Sequence, residues 1–270
     1  MFAKTIGLIA APHTPMDASG DVRLDRIDDQ IDLLVSNGLA GAFVCGTTGE
    51  GPSLTTSERM AVAQRWAAAA PEGFRVIVHV GHQSLRDSRD LAAHAAGCGA
   101  FAIGSMPPTF FRALGTDDLA DYLAHVAAAA PNLPFYYYHI PSMTGADVPM
   151  RDLLAATALR APSLAGMKFT HQDIADFAAC LALDDGRYDC LFGIDEMLLS
   201  AVAIGARGAV GTTYNFAAPL YGRLIDAFER GDIQTARACQ QQSADMVAIG
   251  KRYGPFTAVS KAMMRILGLD

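Results

Sequence analysis

Lysine is scarce in this sequence. There are four, Lys4, Lys168, Lys251 and Lys261, and nowhere a basic cluster. With 28 acidic against 21 basic side chains the formal net charge is −7. That balance weighs against a nucleic-acid partner, and it means that an anionic ligand has to be held by local groups: backbone N–H, hydroxyls or one placed cation. Cysteine is sparse as well. Cys45, Cys98, Cys180, Cys190 and Cys239 are odd in number and widely spaced, with no Cys-x-x-Cys, which points to reduced thiols in a cytoplasmic protein rather than a disulfide framework. No apolar run is long enough to span a bilayer, because the richest ones are broken by Gly, Pro or charge. The N-terminus lacks a secretory pattern, its short apolar stretch running into Pro12 and Pro15. No charge run or low-complexity tract suggests a disordered tail, and no Gly-x-Gly-x-x-Gly follows the first strand-like run, which argues against a dinucleotide fold.

What is present is alternation. The chain has 270 residues, 51% of them hydrophobic, ample for a large core. Short β-branched or aromatic runs occur at Ile6–Ala11, Ala42–Cys45, Arg75–Val80, Phe101–Ser105, Phe135–Tyr138, Leu164–Phe169, Cys190–Gly193 and Ala209–Thr212. Each is followed by a helical candidate, such as Ser57–Ala70, Thr116–Ala130 and Ala218–Arg230. Eight βα units in this length predict an α/β fold, a TIM (β/α)8 barrel over residues 1–231. Asn37-Gly38, Gly97-Cys98-Gly99 and Gly205-Ala206-Arg207-Gly208 each place glycine between a helix and the next strand, where it can take the left-handed conformation that ends a helix, and Pro71 and Pro131 stop two alanine-rich helices. Asp232–Gly250 and Phe256–Leu267 read as further helices, a C-terminal extension over 232–270 that is surplus to the barrel and packs on it.

Lys168 is the residue that asks for an explanation. It lies in Leu164-Ala165-Gly166-Met167-Lys168-Phe169-Thr170, an otherwise apolar run, whereas Lys251 and Lys261 sit in solvent-friendly helical stretches. A lysine at the end of a buried strand is costly unless paired or neutralised. Desolvation favours the neutral amine, and a neutral amine is a nucleophile that forms a Schiff base with a carbonyl. The plainer alternative is a lysine snorkelling out of the strand end.

Barrel chemistry sits at the C-terminal ends of the strands. The second strand ends in Cys45-Gly46-Thr47-Thr48-Gly49-Glu50-Gly51, either a carboxylate cradle of N–H groups and hydroxyls or an ordinary turn with helix-capping hydroxyls. The fifth ends in Tyr136-Tyr137-Tyr138-His139, and alternation forbids all three tyrosines from facing one way. Tyr138 precedes Lys168 by thirty residues, about one βα unit, so the two should occupy matching places on adjacent strands. A phenol there can relay protons. The seventh ends in Gly193-Ile194-Asp195-Glu196, a pair suited to hydroxyl-rich ligands or to capping the next helix. The eighth ends in Gly211-Thr212-Thr213-Tyr214-Asn215, polar enough to serve the same ligand. His79 and His82 have no nearby carboxylate or cysteine to complete a metal site, so no metal is expected.

Together these motifs resemble the pyruvate-dependent class I aldolase family that contains N-acetylneuraminate lyase and dihydrodipicolinate synthase, over nearly the whole chain from about Lys4. The segments Tyr136–Gly145, Leu191–Glu196 and Gly208–Asn215 are similar to the lyase branch. The resemblance implies a homotetramer that needs neither metal nor added cofactor. In it Lys168 forms an imine with the substrate ketone and Tyr138 moves a proton at the C4 hydroxyl. Thr47 and Thr48 hold the carboxylate, Thr170 orients the C4 hydroxyl, and Gly193, Asp195, Glu196 and Thr212 bind the polyol tail. The expected reaction is reversible cleavage of N-acetylneuraminate to pyruvate and N-acetylmannosamine. Three positions depart from the pattern. Met143 stands where the synthase has a carboxylate-binding arginine, which disfavours synthase activity. Phe110-Phe111 replace a tyrosine that in many members reaches a neighbouring subunit's site. Thr212 stands where the lyase often has serine. Two other readings are an aldolase or hydratase-aldolase acting on another 2-oxo acid, and a non-catalytic sugar-acid sensor; Lys168 and Tyr138 argue against the sensor.

Overall fold

Eight short runs are buried on both faces, and a strand buried on both faces pairs most readily in a parallel sheet covered by helices. The computed structural model, which describes residues 2–112 and 115–270, shows that arrangement. In chain order the elements are β1 (Gly7–Ala10), α1 (Ile27–Ser36), β2 (Gly41–Val44), α2 (Thr56–Ala69), β3 (Arg75–His79), α3 (Leu85–Gly97), β4 (Ala102–Ser105) and α4 (Thr116–Ala127). They continue with β5 (Phe135–His139), a single turn α5 (Pro141–Thr144), α6 (Met150–Ala158), β6 (Leu164–Phe169), α7 (Ile174–Ala182), β7 (Asp189–Phe192), α8 (Leu198–Ala203) and β8 (Gly208–Gly211). The chain then runs through α9 (Tyr214–Glu229), α10 (Ile233–Lys251) and α11 (Phe256–Ile266). The strands pair in sequence order, and β8 closes on β1 with Gly7 opposite Gly208. The expected TIM barrel is the fold. Among the described residues no helix is long and apolar enough to cross a membrane.

Period-2 alternation divides the apolar side chains between two layers. Ile9, Phe43, Ile77, Tyr136, Tyr138 and Leu191 fill the barrel interior. Tyr137, Met167 and Phe192 point outward to the helices, where Trp66 of α2 and Leu123 of α4 meet them in one continuous outer layer. The three consecutive tyrosines of β5 are thus split two inward and one outward.

Several ends differ from expectation by a few residues, for local reasons. α4 stops at Ala127, short of the expected Ala130, because the last residues before Pro131 tighten into turns, Ala129 N–H to Val126 and Ala130 N–H to Ala127. α9 starts at Tyr214 rather than Ala218, with a break at Ala217 (φ −128°, ψ 18°) that accommodates Pro219. In the three glycine-bearing segments after helices, Gly38, Gly99 and Gly205 take positive φ, while Gly97 ends α3 and Gly208 begins β8.

α10 and α11 lie beyond the eight βα units and are tied to the strand ends of the barrel. Ser260 of α11 hydrogen-bonds His13 just beyond β1 at 2.8 Å, and Lys261 reaches Glu50 beyond β2 at 2.6 Å. Gln240 of α10 bridges the Leu199 N–H and the Asp195 carbonyl beyond β7. Lys261, expected in solvent, has a side chain only 15% exposed. The signal missed in the sequence was the spacing of these polar groups along otherwise amphipathic helices.

Gly166 sets how closely β6 approaches β7. A Cβ on it would lie 2.6 Å from the Asp189 carbonyl carbon and 2.8 Å from its nitrogen, so no other residue fits without parting the strands. Gly166→Ala is expected to cost at least about 3 kcal/mol of stability, the scale of a severe core overpacking. Urea denaturation checks this, and a loss below about 1 kcal/mol contradicts the close approach.

Candidate active site

The register of β5 against β6 places Tyr138 directly opposite Lys168, as their spacing predicted. Lys168 is 4% exposed. Its Nζ lies 4.2 Å from the centroid of the Tyr138 ring and 4.4 Å from that of Phe43 on β2. Such contacts contribute about 0.5–2 kcal/mol each, so the amine sits in an aromatic slot with its stem in the barrel core. The Phe43 ring meets Tyr138 edge-on at 5.4 Å, and the His79 ring of β3 meets it edge-on at 5.8 Å. Phe43 and His79 were not among the residues singled out for binding; an aromatic on a strand end reads as core until its neighbours are known. His79 was weighed only as a metal ligand. Its Nδ1 lies 3.1 Å from the Cys45 carbonyl, while the Nδ1 of His82 accepts from Ser84 N–H at 3.0 Å in the cap of α3. Burial, reinforced by the charges of Arg59 and Lys168, holds His79 well below the usual imidazole range, so it is neutral.

The loop after β2 is strained at both ends. Cys45 (φ 57°) and Glu50 (φ 56°) are left-handed although neither is glycine, a conformation that costs of order 1–3 kcal/mol and collects at functional sites. Between them the loop folds on itself, with Glu50 N–H to Thr47 and Gly51 N–H to Gly46, and Thr14 Oγ1 donates to the Gly49 carbonyl at 2.6 Å. Thr47 Oγ1 is then 3.1 Å from the Tyr138 hydroxyl, and Thr48 Oγ1 is 2.6 Å from Thr212 Oγ1. The two threonines therefore link the loop to β5 on one side and to β8 on the other.

At the end of β7, Asp195 is buried, and its Oδ2 accepts from Thr213 N–H at 2.8 Å and from Thr213 Oγ1 at 2.6 Å. Thr213 Oγ1 is in turn 2.5 Å from the Tyr221 hydroxyl, which contacts Ser243 of α10. Gly211 leaves room for the Asp195 carboxylate, since a Cβ there would be 2.7 Å from its Cγ. Burial raises the Asp195 carboxyl to about 6, against the pull of the two Thr213 donors. Glu196 pairs with Lys251 of α10 at 3.2 Å. Thr170 Oγ1 is buried without a partner among the described residues, and Gly193 is glycine because a Cβ there would collide with that hydroxyl.

A cavity of about 810 Å³ opens above these strand ends. Thr170, Gly193, Asp195, Glu196 and Thr212 line it, and Lys251 and Phe256 from the last two helices close one side. Met143, 61% exposed, stands on its rim. Thr47, Thr48, Tyr138 and Lys168 cluster through the contacts above and are not part of the cavity wall. Thr48 and Thr212 connect the two groups. Phe110 and Phe111 lie elsewhere, stacked edge to face at 5.0 Å and exposed at 80% and 83%. Among the described residues no group of three or more His, Cys, Asp or Glu side chains is placed to hold a metal ion.

A closed parallel barrel with a buried amine, a phenol and paired hydroxyls at one mouth has the architecture of a TIM-barrel aldolase. The chain belongs to the dihydrodipicolinate synthetase family, which matches residues 4–270. It is similar to N-acetylneuraminate lyase A of Xenopus laevis, 48% identical over 87% of this chain and 77% of that protein. The N-acetylneuraminate lyase of Rattus norvegicus is 40% identical over 98% of this chain and 83% of its own length. Among solved structures, the N-acetylneuraminate lyase of Proteus mirabilis superposes with a TM-score of 0.96 at 41% identity, covering 99% of this chain and 90% of that one. The N-acetylneuraminate lyase (sialic acid aldolase) of Aliivibrio salmonicida gives 0.96 at 38% identity, covering 99% and 89%.

The raised Asp195 carboxyl has a consequence for stability. Its folded value, about 6, lies above its ordinary value of 3.8, so the folded state binds the proton more tightly than the unfolded one. The contribution is complete below about pH 4 and is lost as pH rises through about 6. Melting temperatures of wild type and Asp195→Asn between pH 4 and pH 7 should differ in slope, with the variant flatter. Parallel curves contradict the assignment.

Proposed function

We propose that this protein is a Schiff-base aldolase that reversibly cleaves N-acetylneuraminate to pyruvate and N-acetylmannosamine. The observation that carries the reading is Lys168, buried in an aromatic slot in register with Tyr138 at the barrel mouth. The similarity to proteins named N-acetylneuraminate lyase supports the substrate. In this reading the Lys168 amine adds to the C2 ketone of the open-chain sugar and water leaves, forming a protonated imine. Removal of the C4 hydroxyl proton breaks the C3–C4 bond. The electron pair moves into the imine as an enamine, and N-acetylmannosamine departs as the aldehyde. Protonation at C3 and hydrolysis then release pyruvate and regenerate the amine. Tyr138, held by Thr47 at 3.1 Å, moves the C4 proton, and the unpartnered hydroxyl of Thr170 orients the C4 oxygen.

Thr47 and Thr48 hold the carboxylate. Gly193, Glu196 and Thr212 meet the polyol tail in the 810 Å³ cavity. Asp195 joins them through the carboxylate oxygen that Thr213 leaves free. The protein works in the cytoplasm as a homotetramer, and the exposed Phe110–Phe111 pair supports a subunit contact. Met143 offers no cation to a second carboxylate, which favours a sugar-acid substrate over that of the synthase.

Purified protein incubated with N-acetylneuraminate is expected to release pyruvate. Borohydride should then trap a covalent adduct on Lys168, and Lys168→Ala should abolish both. Tyr138→Phe should keep trapping by pyruvate while turnover falls by about 10²–10⁴, the usual contribution of a placed proton donor. Normal turnover in Lys168→Ala would falsify the mechanism.

A further inference from the structure

Arg59 of α2 is 1% exposed, yet its charge has no anionic partner among the described residues. Its Nη1 donates to the Gly81 carbonyl at 3.0 Å and its Nη2 to the His79 carbonyl at 2.6 Å, while Nε is buried with no partner among the described residues. Carbonyls satisfy part of the fork but leave the charge uncompensated, and a buried unpaired cation is among the most expensive groups a core can hold.

The groups that face it do not help. The Cys45 thiol, hydrogen-bonded to the Arg59 carbonyl at 3.8 Å, is pushed up to about 11 by burial and stays neutral at pH 7. Burial likewise raises the Tyr122 phenol, leaving it neutral. His79 is neutral, and Lys168 acts on His79 with the same sign as Arg59. Arg59 therefore lies against Cys45, the first residue of the strained Cys45–Gly51 loop, while Lys168 stands beside the Tyr138 ring whose hydroxyl meets that loop at Thr47.

We propose that Arg59 is a specificity-determining residue whose buried charge is completed by the substrate's own carboxylate, so that the site selects 2-oxo acids over neutral carbonyl compounds. The guanidinium does not bond the ligand: its terminal nitrogens are turned to carbonyls of β3 and the turn after it, and its Nε is buried. It acts through its field, which falls off slowly in a low-dielectric interior. It also acts by holding His79, whose ring braces Tyr138. The inference rests on Lys168 as the imine-forming amine.

Borohydride trapping at Lys168, followed by intact mass, tests it with two probes that share a ketone but differ in charge: pyruvate and its neutral methyl ester. In each case amine and ketone condense with loss of water, and hydride reduces the imine to a secondary amine. Arg59→Gln removes the charge, and Arg59→Lys keeps it. Cys45→Asp gives Arg59 a permanent counter-ion at a left-handed position that aspartate tolerates, with Cys45→Asn as its neutral control. Folding of each variant is established by its melting curve; if Arg59→Gln does not fold, Cys45→Asp carries the test. Half-saturating pyruvate should rise about tenfold in Arg59→Gln and Cys45→Asp, the scale of a charge set back from the ligand well beyond contact distance. The methyl ester should change less than about twofold, and Arg59→Lys and Cys45→Asn should keep the wild-type preference. Equal losses for both probes mean a purely structural role and overturn the inference, as does unchanged pyruvate trapping in folded Arg59→Gln or Cys45→Asp. Wild-type protein that traps neither probe overturns the functional reading, and this inference with it.

Discussion

The register between β5 and β6 is the constraint on which the candidate site depends. Strand pairing is discrete: a slip of one residue turns every side chain to the opposite face. With Tyr138 opposite Lys168, phenol and amine both face the barrel interior at its mouth, and Phe43 and His79 close around them. The close approach of Gly166 to Asp189 fixes β6 on its other side. Lys168 is thus placed by backbone geometry, with no ion pair among the described residues to hold it. Such placement suits a group that has to change its covalent state, because no partner has to be broken first.

Much of this was legible in the sequence. Eight apolar runs separated by helical stretches sufficed for the barrel, because burial on both faces and short connections leave few other topologies. The thirty-residue interval between Tyr138 and Lys168 carried the register, since successive βα units bring equivalent positions together. The strain at Cys45 and Glu50 was not visible, because neither residue type announces a left-handed conformation.

The missed features are those that depend on distant elements. Phe43 and His79 join the site through contacts between strands far apart in sequence. Asp195 read as one of a pair for a hydroxyl-rich ligand or as a cap of the next helix, yet one of its oxygens is committed to Thr213, and its backbone is held by Gln240 and Ser243 of α10. Glu196 likewise meets Lys251, a residue whose own sequence neighbourhood gave no sign of a role. Pairwise periodicity locates a side chain on a face, but it does not say which helix arrives to meet it.

The ties from α10 and α11 to the ends of β1, β2 and β7 bear on the order of events during synthesis. The strands and the Lys168–Tyr138 pair precede α10 and α11 in the chain and are therefore translated before them. A nascent chain can therefore close its sheet while the mouth still lacks the wall formed by Val247, Lys251 and Phe256. For that interval the amine is in place but the chamber above it is unfinished, so the cavity is completed only when α10 and α11 dock.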